Sequence, residues 1–357
     1  MPPPSLDERT RLAERLIAQT WPHLRFADTR VPAPGMDHAV IVLRDVIDTS
    51  TGTGESAAHL GDLVVRAPLT SDYRAQSGAE AAVLDELRVV LDRQGSGVRI
   101  PRPVLRTPDG TIGAQTFVEG TPVTAAAWAA MPSERQEIVV DELAELLAAM
   151  HTRDVDRPPF NGVESWWLPT EHRELTEAVH GTGLGHARLN ISSPRALPAK
   201  AAKVAATAPR VIPDDLSDAD RDVVEEIIRD VSAVLRAPFA PRLVHSDLYD
   251  AHALWDGQHL GVIDFSDMNR GDPAIDFSHL TDLDPMLAEV VLARAKNTSV
   301  DGVRPEYDEG LLDRAWIYKR WDSVFLLVDH LRTGFTSGDE AWEAFAAVRD
   351  SRRPGTA

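Results

Sequence analysis

The sequence predicts an α+β fold of two unequal parts, a small β-rich first part and a larger, mainly helical second part. Three observations carry that expectation. Two strand-like runs and one amphipathic helix crowd into the first hundred residues. Long helical patterns dominate after residue 124. A single acid-rich hairpin, "LVHSDLYDAHALWDGQHLGVIDFSDMNRGDPAIDF" at 243–277, interrupts them.

Residues 5–20 begin with a Ser or Asp cap and space their apolar side chains as a helix does. "HAVIVLRDV" (38–46) and "DLVVRAP" (62–68) read as strands, the second stopped by Pro68, and the polar run between them makes a hairpin with a long loop. "TGTGES" (51–56) sits inside that loop. It follows no strand-to-helix junction, so it is an insertion and not a phosphate loop. Residues 77–95 form an amphipathic helix, with Ser77 as cap and Gly95 as stop. Strand, turn at Pro108-Asp109-Gly110, and strand follow within 98–123. The seam falls in "VEGTP" (118–122), giving a first lobe of 1–118 and a second of 119–357.

In the second lobe, 124–152 and 217–237 are helical, as are 286–297, 308–334 and 338–350. Residues 157–215 are Pro-rich and carry Trp166 and Trp167. A stretch of that length predicts some helix or a lid. "HGTGLGH" (180–186) has no strand before it and earns no nucleotide role.

Composition narrows the function. With 56 acids against 37 bases the formal charge is −19, the opposite of what a phosphate backbone requires. The absence of cysteine excludes disulfides, thiolate zinc and thiol catalysis. No run is long and apolar enough to span a membrane, and the start lacks the form of a secretory signal. These features predict a cytoplasmic protein that binds neither nucleic acid nor membrane.

The hairpin carries the chemistry. His245-Ser246-Asp247 is followed five residues after the aspartate by His252, and an apolar strand then ends on Asp264. Carboxylates and a neutral imidazole at loop and strand ends make a platform for Mg²⁺, and Asp247 is free to act as a base toward a hydroxyl. The spacing is that of the protein-kinase catalytic hairpin, H-R-D-x-x-x-x-N and then a metal-binding Asp, with His in place of Asn. A bilobal, protein-kinase-like fold is therefore expected.

"HSDLYDAHALWDG…LGVIDFSDMNRGDPAIDF" resembles the aminoglycoside phosphotransferase family, whose members usually show H-G-D-L-x-x-x-N, I-D-W/F and G-D-P-x-x-D. It is most similar to the macrolide phosphotransferase branch, which carries His at the Asn position, "GMD" before its first hairpin and "WVLRIP" where this chain has "LVVRAP". Ser246 and Tyr249-Asp250 depart from that branch. The resemblance implies a purine nucleoside triphosphate as donor, GTP or ATP, with Mg²⁺. Asp247 becomes the catalytic base, and His252 and Asp264 the metal ligands. Arg66 holds nucleotide phosphate and pairs with Glu80, with Glu86 as the rival. Gly35, Met36, Asp37 and His38 cover the phosphates, and Thr116, Phe117 and Val118 form the hinge that meets the purine. Asp272, Asp276 and His245 support the catalytic loop.

The implied acceptor is a macrolide 2′-hydroxyl, whose pocket Trp316 and Phe325 are candidates to line, while Asp282 and Asp322 are candidates to meet a polycationic aminoglycoside. An aminoglycoside or another small-molecule alcohol is the alternative, and the acidic charge leans toward it. A nucleotide-binding module without turnover is a third possibility, which Asp247 and Asp264 argue against.

Overall fold

The computed structural model describes residues 5–32, 38–50, 57–69, 71–163, 217–236, 239–333 and 336–349. The expectations placed on Gly35, Met36 and Asp37, on 51–56 and on 164–215 lie outside the described residues.

Helix α1 (Leu6–Thr20) starts on a capping box: Ser5 Oγ accepts from the Glu8 N–H, and the Glu8 carboxylate accepts from the Ser5 N–H. Its buried Ala13 and Ile17 pack on an antiparallel sheet. The sheet is built from β1 (Leu24–Arg25), β2 (Asp28–Arg30), β3 (His38–Asp48), β4 (Ala58–Pro68), β5 (Pro103–Arg106) and β6 (Gly113–Thr116). Their order is β1-β3-β4-β6-β5, with β2 also on β3. In the β3–β4 hairpin Val40 faces Arg66 across the ladder, which fixes the height of the guanidinium in the lobe.

Helix α2 (Ser71–Gln94) lies between β4 and β5 and begins six residues before the Ser77 expected to cap it. Ser77 instead bonds back to the Arg74 carbonyl from inside the helix. The extra turns are held by the acid-rich hairpin: Tyr73 Oη donates to Asp267 Oδ1 at 2.7 Å, and Gln76 Nε2 donates to the carbonyls of Ser266 and Met268. Gly95 does end the helix, in the left-handed region at φ 69°. The buried face of α2, including Leu84, Leu87 and Leu91, belongs to the same core as Leu143, Leu146 and Leu147 farther along the chain. Helix α2 is thus fixed to the second lobe although it belongs in sequence to the first.

After β6 the chain crosses to the second lobe, where β7 (Thr121–Pro122) pairs with the acid-rich hairpin. The predicted 124–152 helix is two helices, α3 (Ala125–Ala130) and α4 (Ser133–His151), because Pro132 cannot continue the first. Helix α5 (Asp218–Arg236) precedes β8 (Arg242–Val244), β9 (Ala253–Trp255), β10 (Leu260–Val262) and β11 (Asn269–Gly271). Helices α6 (Leu280–Leu283), α7 (Leu287–Asn297), α8 (Leu311–Thr333) and α9 (Gly338–Arg349) complete the lobe. Strand β8 pairs with β11, and β9 lies between β7 and β10. Arg99, just after α2, bonds to both Leu260 and Val262, tying the α2 end to β10. The architecture is a curled antiparallel sheet over a helical lobe, which is the bilobal protein-kinase-like arrangement.

Candidate active site

Strand β8 delivers the first part of the site. Val244 is the last residue of the strand, and the chain then turns at Ser246, whose φ of 75° lies in the left-handed region. A side chain there costs about 1–3 kcal/mol unless the surroundings hold it. Asp276 holds it by accepting from the N–H groups of His245 (3.0 Å) and Ser246 (2.8 Å). Asn269 Nδ2 donates to Ser246 Oγ. Asp276 is itself buried and bonded to His151 Nε2 at 3.0 Å, and His151 Nδ1 meets Tyr307 Oη at 2.8 Å.

His245 is fully buried. Its Nε2 donates to the Ile263 carbonyl, and its Nδ1 accepts from the Asp247 N–H. The ring therefore spans the two arms of the hairpin as a neutral imidazole, and burial pushes its pKa down.

Asp247 projects beyond this anchor. Burial pushes its carboxyl up to about 7; His252 opposes the shift, and the charges of Asp267, Asp264 and Asp322 add to it. His252 Nδ1 donates to the Asp247 carbonyl oxygen at 2.8 Å and lies 3.3 Å from Asp247 Oδ2. In the neutral ring this fixes the tautomer and turns the Nε2 lone pair toward Asp264 Oδ2, 3.7 Å away.

Asp264 stands two residues past β10 at φ 62°, again left-handed. Its Oδ1 accepts from Ser266 Oγ and from Arg66 Nη2, each at 2.7 Å. Burial disfavours its charge, but the Arg66 guanidinium, aided by the Ser266 hydrogen bond, outweighs that and holds it well below the usual carboxylate range. Arg66 uses Nη1 for Glu80 at 2.7 Å, so one guanidinium bridges α2 and the hairpin. Burial opposes the charge on Arg66, yet the two acids raise its pKa further. His38 Nδ1 lies 3.5 Å from Arg66 Nη2, and burial with the nearby guanidinium keeps this histidine uncharged. Its ring is edge-on to Tyr73.

The residues fit a divalent cation. Asp264 commits one oxygen to Arg66 and Ser266 and keeps the other facing the His252 lone pair, and two ligands about 4 Å apart can share one ion. Among the described residues no group of three His, Asp or Glu side chains can hold a metal, so the remaining ligands would be water or phosphate oxygens.

Arg66, Glu80, His38, Asp247, His252 and Asp264 are therefore brought together. Of the three expected hinge residues, two have their N–H groups engaged within the fold. The Thr116 and Phe117 N–H groups are spent on the Arg102 and Asp62 carbonyls, because β6 runs between β5 and β4 and its end is bonded on both sides. Val118 is buried, its side chain filling the space above Gly261. Phe325 is half-buried against the core, one helical turn after Trp321, and Trp316 lines a separate cavity with Phe277 and Thr281. Asp282 and Asp322 converge on His279. Tyr73, Gln76, Ser266 and Asp267 escaped the sequence reading, since only the fold brings α2 to "DFSD".

Many solved structures share this fold, among them three phosphotransferases. The GDP and kanamycin complex of APH(2″)-IIIa is 20% identical, covers 94% of this chain and 96% of its own, and superposes with a TM-score of 0.59. Macrolide 2′-phosphotransferase MphH from Brachybacterium faecium is 18% identical, with 96% and 99% covered and a TM-score of 0.56. A macrolide 2′-phosphotransferase type I is also 18% identical, with 99% and 100% covered and a TM-score of 0.56. No curated protein matches the chain. Residues 53–311 match the phosphotransferase enzyme family, a span holding every side chain of the cluster except His38. The chain belongs to the phosphotransferase enzyme family.

Proposed function

We propose that the protein moves the γ-phosphoryl group of GTP or ATP to a hydroxyl of a macrolide, the 2′-hydroxyl of its amino sugar. The observation that carries phosphoryl transfer is the closure of Asp247, His252 and Asp264 against the Arg66–Glu80 pair. Asp247 orients the acceptor hydroxyl and takes its proton as the new O–P bond forms, and the nucleoside diphosphate leaves. Arg66 stabilises charge on the phosphate oxygens, and Glu80 keeps the guanidinium in place. His252 and Asp264 are the residues that would hold Mg²⁺, which supplies charge neutralisation across the phosphates. The purine edge would meet the hinge through the Val118 N–H, since those of Thr116 and Phe117 are committed.

The macrolide assignment rests on His252, which stands where the macrolide branch carries His and most of the family carries Asn. An aminoglycoside acceptor is the second reading, favoured by the charge of −19 and by the fold shared with a kanamycin complex. The test is to incubate the protein and Mg²⁺ with GTP or ATP and a panel of both antibiotic classes. A mass gain of one phosphoryl group on a macrolide supports the assignment. Gain on aminoglycosides alone transfers it to the second reading.

A further inference from the structure

Beside the reacting groups lies an acidic wall that neutralises itself. Asp282 lies in α6 and Asp322 in α8, and their side chains are 44% and 40% exposed. Asp322 faces His279, which neighbours the Tyr249 ring beside His252, and, after burial, its charge is among those that add to the rise of Asp247. Left alone, two such carboxylates near the acceptor position would attract a polycation. They are not alone. His279 reaches Asp282 Oδ2 with Nδ1 at 3.0 Å and faces Asp322 Oδ2 with Nε2 at 3.7 Å. Lys319 Nζ contacts Asp282 Oδ1 at 2.5 Å and donates to Thr281 Oγ1 at 2.9 Å.

Both basic groups are well covered, His279 at 24% exposure and Lys319 at 13%. Lys319 is also backed by the Trp316 ring, 5.7 Å away. Burial opposes a charge on His279, but the bond to Asp282 and the charge of Asp322 raise its pKa. When the imidazole is charged, the two bases balance the two acids among these four side chains. In front of it stands Tyr249, 38% exposed, its ring centroid 4.3 Å from His252 and 6.4 Å from His279. An acceptor approaching Asp247 thus meets an aromatic face and pre-formed ion pairs.

We propose that Lys319 and His279 form a charge filter for the acceptor, holding Asp282 and Asp322 in internal pairs so that an alcohol with one cation or none is taken and a polycation is refused. This rests on the phosphotransferase reading above, in which Asp247 orients the acceptor hydroxyl. A polycation would have to break pairs already made, and it would gain only what exceeds them.

The test compares kanamycin, a polycation, with erythromycin, which carries one amine. Lys319→Met and His279→Asn each remove one of the two basic groups that face the acids. Each should raise the kanamycin-to-erythromycin ratio of kcat/KM about tenfold, through KM, a modest share of what one partly solvated charge exerts at about 4 Å. Lys319→Arg keeps the charge and should keep the wild-type ratio. A residue that merely supports the fold would move both acceptors together. A ratio unchanged in both charge-removing variants overturns the filter, even if erythromycin is phosphorylated well. Kanamycin binding, measured by calorimetry in the Asp247→Asn background, separates the two readings. If no acceptor is ever phosphorylated but Lys319→Met still tightens kanamycin about tenfold, the filter stands and the proposed reaction falls. If kanamycin affinity does not respond to Lys319→Met, the filter falls.

Discussion

Arg66 and Asp264 lie 198 residues apart in sequence and 2.7 Å apart in space, and their contact closes the cleft between the two lobes. The same guanidinium holds Glu80 through its other nitrogen. A lysine has one ammonium and cannot span two carboxylates on opposite sides of the cleft. Arg66→Lys should therefore weaken nucleotide binding about tenfold. Arg66→Met should also lower stability by about 3–5 kcal/mol, because Glu80 is left buried without its partner. Titration with a fluorescent nucleotide and urea unfolding check the two effects. Wild-type affinity in the lysine variant would show that the bridge is incidental.

His252 presents its Nε2 to Asp264 Oδ2 at 3.7 Å. Imidazole is a softer ligand than Mg²⁺ prefers and suits Mn²⁺ better. Changing His252→Asn substitutes an amide oxygen at the same point. The variant should keep activity within about tenfold and shift its metal preference from Mn²⁺ toward Mg²⁺, whereas His252→Ala should lose about a hundredfold with either ion. Activation curves for the two metals decide it. Identical preferences in wild type and the Asn variant would remove His252 from the metal shell.

In the proposed reaction Asp247 is the base that takes the acceptor proton. Asp247→Asn should cut turnover by about 10²- to 10⁴-fold while nucleotide affinity changes little. With the carboxyl pushed up to about 7, it is the ionised form above that pH that accepts a proton. Acceptor kcat/KM in the wild type should therefore rise with pH through this region. A flat profile, or turnover retained in the Asn variant, would place the base elsewhere.

The parts of the site that were legible in the sequence are those set by local spacing. Asp247, His252 and Asp264 fall within one hairpin, so their chemistry could be read from residue type and interval. Arg66 was visible as a lone charge in an apolar strand. What stayed hidden depends on contacts between distant segments. The first turns of α2 exist because Tyr73 and Gln76 grip the hairpin some 190 residues later, and capping preferences pointed to Ser77 instead. The hinge amides of Thr116 and Phe117 looked available because sequence does not show which strand neighbours consume them. The aromatic Phe325 could not be told from a core residue, since a helix repeats apolar positions whether they face a core or a ligand.

Asp276 fixes the catalytic turn with both carboxylate oxygens, one for the His245 N–H and one for the Ser246 N–H. An amide in its place has a single acceptor. Asp276→Asn should therefore release one of these buried donors, costing about 1–3 kcal/mol of stability. It should also lower kcat more than it raises KM for nucleotide, because the turn carries Asp247 and not the nucleotide contacts. Steady-state kinetics with a paired unfolding curve test both parts. Equal losses in kcat and nucleotide affinity would indicate a general collapse of the loop.

His245 gives the fold a pH dependence whose sign can be worked out. Its ring is fully buried between the Ile263 carbonyl and the Asp247 amide, and its pKa lies below the ordinary value of 6.5. Below about pH 6.5 the unfolded chain binds a proton that the folded chain refuses. The stability this group permits is thus fully present above that pH and is lost as pH falls toward the lowered value. The loss is at most about 1.4 kcal/mol per pH unit. His245→Gln keeps a donor for Ile263 and an acceptor for Asp247 but does not titrate. The variant should be less stable than wild type near pH 8, where the ring packs better, and the gap should narrow or reverse near pH 5. Some acid sensitivity should persist, because His38 is also buried and also held uncharged. Urea midpoints of the two proteins at both pH values measure the change. A gap that stays constant would mean that His245 takes up its proton in the folded state as readily as in the unfolded one.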